Sequence, residues 1–280
     1  GRHRMASNKE KIIGPKRSFW EVNLRDIWDY RELLYFLTLR QIKTKYKQTA
    51  IGIVWVVLQP LLTMAIFALI FYRVGNFNTG GIAVYPFLFS TLMLWTFFSS
   101  ALNSGSQSLV SNANMISKIY FPRFLLPLSL ALAGLLDYVI SWGVFVFIMI
   151  ATGEAFSSWM VFIWVPLVLS FVLVTGLTFL FSAMAAKYRD VQYIVPFFTT
   201  LLLFASPILY PLNAAQDPIL RTIMTLNPLA GIMDAQRFFV FGRPEMDMTV
   251  FASSIVVSIA VFVIGLLYFK KYERQLADVI

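Results

Sequence analysis

The sequence predicts an all-α, polytopic membrane protein. About six transmembrane helices are expected, with an N-terminal amphipathic interface helix ahead of them and a re-entrant helical pair before the last span. Three observations carry this. Of 280 residues, 59% are hydrophobic and only 13% charged, where a soluble domain carries about a quarter charged residues. The apolar residues fall in blocks long enough to cross lipid, and mean hydropathy is +0.73. The basic residues flank those blocks instead of forming a separate soluble face, so the net charge of +9 speaks for membrane orientation and against nucleic acid.

The elements follow in chain order. Residues 1–27 form a polar, basic segment expected in the cytoplasm, with GRHRM ahead of the rest set aside. Residues 28–50 form the interface helix. There Tyr35, Leu39, Ile42 and Tyr46 recur at helical steps, and Arg40, Lys43 and Lys47 make a second, cationic stripe. Such a helix lies flat at the lipid surface, its cations near anionic headgroups. It either anchors the first span or guides an anionic lipid-linked substrate.

The transmembrane domain, 51–270, comes next. Windows of about 19 residues place spans near Ile51–Tyr72, Tyr85–Asn103, Phe124–Ala151, Trp159–Ala186, Val191–Leu212 and Thr249–Phe269. Of the 23 Lys and Arg, all but Arg73, Arg221, Arg237 and Arg243 fall on one side of this arrangement. That puts both termini, including the tail 271–280, in the cytoplasm.

Polar residues inside the apolar blocks are the candidates for function. Gln59-Pro60 should kink the first span, with the Gln amide bonding another helix or facing a path. Asp137 stands alone at depth and must meet protein, water or a proton, either as a structural contact or in transport. In 213–248, Asp217-Pro218 and Asn227-Pro228 each pair an N-cap with a first-turn proline. The helices they start are too short to span, so they form a re-entrant hairpin with Arg221 and Arg237 near its outer mouth, or else a surface loop. The connection 109–121 mixes small polar residues with Ile116, Ile119, Tyr120 and Phe121 before Pro122. It reads as a short amphipathic helix that docks on another protein or rests on lipid. Trp55, Phe197, Phe198, Phe204 and Tyr210 offer flat faces either for packing or for sugar rings.

Several chemistries are excluded. There is no Cys, and His3 is the sole histidine. No catalytic set and no metal site can be assembled from these residues, and no phosphate loop of the G-x-x-x-x-G-K-[ST] kind occurs. The chain is therefore expected to be a conduit, not an enzyme, driven from elsewhere.

Four stretches together, YKQTAIGIVWVVLQPLLTMAIFALIF, NANMISKIYFPRFLLPLSLALAGLLDYVIS, AAKYRDVQYIVPFFTTLLLFASPILYPL and LNPLAGIMDAQRFFVFG, resemble the ABC-2-type permeases that export O-antigen, capsule and teichoic acid. The resemblance runs from about Trp28 to the C-terminus. It implies a homodimer in the inner membrane with two ATP-binding cassette subunits beneath it, moving a lipid-linked polysaccharide outward. This chain would bind no cofactor, ATP and Mg being held by the partner. The resemblance makes 109–121 the coupling helix, with Asn112, Asn114, Met115, Ser117, Lys118 and Tyr120 as contacts. It makes Trp55, Gln59, Phe197, Phe198, Phe204 and Tyr210 channel lining. An ABC-2 exporter of small molecules is the nearer rival. An ion-coupled secondary transporter is the further one, and it would need Asp137.

Overall fold

The computed structural model describes residues 28–47, 53–74, 79–212, 217–243 and 245–279. The expected segment 1–27 lies outside them. Among the described residues the chain is helical throughout, with no strands.

Helix α1, Arg31–Lys47, is followed by α2, Ile53–Val74, with Pro60 inside it. Next come α3, Val84–Ser106, and two single turns, α4, Ser108–Ser111, and α5, Ala113–Ile116. Helix α6, Leu125–Thr152, leads through a 3-10 turn, Ser158–Phe162, into α7, Trp164–Lys187. Then follow α8, Val191–Ala205, α9, Pro218–Leu226, α10, Pro228–Phe241, and the long α11, Met248–Val279.

Among the described residues, four stretches are long and apolar enough to cross a bilayer: Val84–Ser106, Leu125–Thr152, Ser158–Lys187 and Met248–Glu273. Val54–Ile70 and Val191–Ala205 are shorter apolar helices. The all-α, multi-pass reading is therefore correct, but the fifth expected span is not one continuous helix. At ~1.5 Å per residue, α8 rises only ~22 Å. It stops because Pro207 forces Ser206 into extended backbone, at φ −115 and ψ 150.

Helix α3 sits at the centre, packed by α2, α6, α7, α8 and α10. Phe87, Leu88, Phe89, Phe97 and Phe98 are fully buried there. Its polar side chains bond back to its own carbonyls. Ser90 donates to Phe87, Thr96 to Leu92 and Asn103 to Ser99. A polar group in hydrocarbon must be satisfied within protein, and this is the cheapest way for a lone hydroxyl.

The broadest helix contact is α7 against α11. It depends on two glycines. A Cβ at Gly265 would lie 2.0 Å from the Gly176 carbonyl oxygen, and one at Gly176 would lie 2.5 Å from the Phe262 Cα. Small residues that let backbones approach are the usual basis of helix association in lipid.

Candidate functional site

The connection 109–121 differs from the single amphipathic helix expected. It is broken into α4 and α5 at Asn112, whose φ is −110 and ψ is 20. Side chains of small polar residues compete for the backbone here. Asn112 Nδ2 donates to the Ser108 carbonyl at 2.9 Å and Ser111 Oγ to that of Gln107 at 2.9 Å. Phe121 and Leu109 bury themselves against Leu125, Leu126 and Phe179, so both ends of the segment are rooted. Between them the segment stands out: Asn114, Ser117 and Lys118 are exposed, and Tyr120 is 96% exposed. Asn112 and Met115 are half-buried.

Helix α1 corrects a second expectation. Its protein-facing side is Leu33, Leu34 and Leu37, while Tyr35 is exposed. Leu37 joins the cluster at the N-terminal start of α6, whereas Tyr46 reaches Asp137, three turns further along α6. The physical cause is the buried carboxylate, which draws the basic end of α1 inward. Lys45 forms an ion pair with Asp137 Oδ2, and the Tyr46 hydroxyl donates to Oδ1. Burial first, and then the bond to Asp137, push the Tyr46 phenol well above its ordinary pKa. Arg40, Lys43 and Lys47 remain exposed. Arg40 Nη1 comes within 3.4 Å of the Met115 sulfur in α5. Lys45 and Tyr46 as partners of Asp137 were missed from sequence. The available signal was an isolated acid at depth in a chain whose nearest cations precede the first span.

Beside this contact lies a cleft of about 380 Å³. Gln41, Thr44 and Lys45 of α1 face Ser100, Ser104 and Asn112 across it. Lys45 Nζ is 3.4 Å from Ser100 Oγ.

The region 217–243 is organised by the predicted caps. Asp217 Oδ1 accepts from Ile219 N at 2.8 Å and Leu220 N at 3.2 Å. Asn227 Oδ1 accepts from Leu229 N at 3.0 Å, while its Nδ2 donates to the Ala205 carbonyl and to Ser206 Oγ. Helix α10 dips into the bundle. Its Gln236 reaches the Tyr138 hydroxyl at 3.2 Å, halfway along α6.

Arg221 is exposed and pairs with Asp247 at 3.0 Å. Arg237 is not at a mouth: it is 2% exposed. The break after α8 leaves carbonyls without helical partners, and Arg237 satisfies them. Its Nη1 donates to Pro207 and Tyr210, and its Nη2 to Ile208, at 2.7, 3.0 and 2.6 Å. The guanidinium also lies 3.9 Å from the Phe87 ring centre.

Of the aromatic candidates, Trp55, Phe197 and Phe204 are 51%, 65% and 59% exposed, and Gln59, on the same helix as Trp55, is exposed too. Phe198 instead packs on Phe181, and the Tyr210 hydroxyl is bonded to the Phe204 carbonyl. Those two are less available to a passing molecule. Among the described residues no acidic or histidine cluster could hold a metal.

A family profile described as ABC-2 type transporter matches residues 32–241. The chain is 28% identical to an O-antigen export system permease protein of Myxococcus xanthus over 91% of this chain and 98% of the relative. It is 28% identical to one of Klebsiella pneumoniae over 89% and 95%. With a polysialic acid transport protein of Escherichia coli it shares 24% over 72% and 78%.

Proposed function

The chain belongs to the ABC-2 type transporter family, and from that we propose that it is the permease subunit of an ATP-driven exporter of a lipid-linked cell-surface polysaccharide. The observation that carries this is the near end-to-end match to an O-antigen export permease, 98% of the relative's length. Two copies would sit in the inner membrane, both termini inside, above two ATP-binding subunits that hold ATP and Mg.

In this reading the exposed ridge from Asn114 to Tyr120 seats in the ATP-binding subunit, rooted by Phe121 and Leu109. The basic stripe Arg40, Lys43 and Lys47 meets the anionic pyrophosphate of the carrier, where each cation near a headgroup contributes ~1 kcal/mol. The exposed rings of Trp55, Phe197 and Phe204, with Gln59, line the path and slide along sugar faces. Asp137, with both oxygens taken by Lys45 and Tyr46, offers no open ligand set for a coupling ion.

The test is co-purification and export. Co-expressed with the ATP-binding subunit of the same exporter, the tagged chain should pull that subunit down. It should restore surface polysaccharide to a host lacking its own copy, and only when that subunit can hydrolyse ATP. Restoration with a hydrolysis-dead subunit, or no association, would overturn the reading.

A further inference from the structure

Asp137 is bound by two adjacent residues of another helix. Lys45 and Tyr46 lie ~100° apart around α1, yet both reach one carboxylate, Lys45 at Oδ2 and Tyr46 at Oδ1. A single contact would leave α1 free to roll or slide. Two donors straddling one carboxylate fix both its rotation and its height against α6. The middle of α1 lacks such a hold toward α3, because Gln41 and Thr44 face the open cleft there. Closer to its start α1 is held by the apolar contacts of Leu33, Leu34 and Leu37, and on its outer side Arg40 touches Met115 of the cytoplasmic connection.

We propose that Asp137 is a positioning residue. Acting through Lys45 and Tyr46, it makes α1 a rod that links the α4–α5 ridge to the middle of α6. This rests on the reading of that ridge as the ATP-binding subunit's contact. Movement at Met115 reaches Arg40, travels along α1 as a rigid helix, and arrives at α6 only because the carboxylate grips the far end. Apolar contacts alone slip. A pair whose carboxylate is buried resists parting even though its lysine is partly exposed, since separation leaves Asp137 buried and unpaired.

The test uses the purified complex with its ATP-binding subunit, and the same variants in the host. Asp137→Asn and Lys45→Met should keep ATP hydrolysis within about twofold while polysaccharide export per ATP falls about tenfold or more. The exchange Lys45→Asp with Asp137→Lys should bring the ratio back to within about threefold. A second measurement needs no charge. The chain has no Cys, so cysteines at 45 and 137, joined by a short cleavable linker between α1 and α6, should restore the ratio when linked and lose it on reduction. If a single variant fails to assemble, Tyr46→Phe, which keeps the ring and the ion pair, should still lower the ratio about threefold.

Unchanged ratios in the variants, or loss that neither the exchange nor the linker repairs, overturn the rod. Failure of the unaltered chain to bind the ATP-binding subunit overturns the docking reading instead, before any variant is made.

Discussion

Arg237 ties together the segment between α8 and α9. Its fork of donors holds three carbonyls of the broken segment after α8, and the side chain itself is buried. Arg237→Met keeps most of the volume and removes every donor. The Ile208 carbonyl keeps the Thr91 hydroxyl, so the Pro207 and Tyr210 carbonyls are orphaned; each should cost about 1–3 kcal/mol, seen as a lower midpoint of thermal unfolding in detergent. Arg237→Lys should recover little, because one ammonium cannot fork to carbonyls set apart. Its role was not legible in the sequence. Its partners lie about thirty residues away, and an arginine beside an outer loop has the same letter pattern as one at a pore mouth. Phe197 and Phe204 make the opposite case. They are large, apolar and exposed, and lipid and glycan are both consistent with that. Replacing both by Ala should slow polysaccharide export about three- to tenfold, at roughly 1 kcal/mol of lost stacking. Association with the ATP-binding subunit should be untouched. An unchanged export rate would assign these rings to lipid.

At the scale of elements, the tightest joint is α7 on α11. Gly265→Ala puts a methyl where the Gly176 carbonyl already stands, so the helices must part. A loss of about 1–3 kcal/mol is expected, measured by the same melt. Gly143→Ala is the control, since nothing lies within 4 Å of the Cβ it would add. The helix starts at Asp217-Pro218 and Asn227-Pro228 were legible because capping is local chemistry, settled within three residues. The breaks were less so. Ser206-Pro207 ends α8 early, and Asn112 splits α4 from α5, although hydropathy runs on across the first and amphipathic spacing across the second. A window average sees greasiness and not the backbone. The face of α1 was misjudged for a related reason. Several registers of Leu and Tyr fit its sequence, and the choice among them was made by Asp137, ninety residues away.

For the whole molecule, the positive-inside count makes a sidedness prediction that this Cys-free chain suits well. A cysteine at Tyr120 should react with an impermeant reagent only from the cytoplasmic face, and one at Arg221 only from outside. Reaction of both from one side would refute the topology. A further consequence comes from Glu154. One of its oxygens accepts from the Ala83 N–H at the start of α3, and the other pairs with Arg243 just past α10. Nearby, Ser157 N donates to the Val240 carbonyl at 2.8 Å. The start of α3, the turn after α6 and the end of α10 are thus tied together within a single chain. In the two-copy assembly proposed above, an aperture wide enough for a polymer is therefore to be sought between the copies and not through this knot.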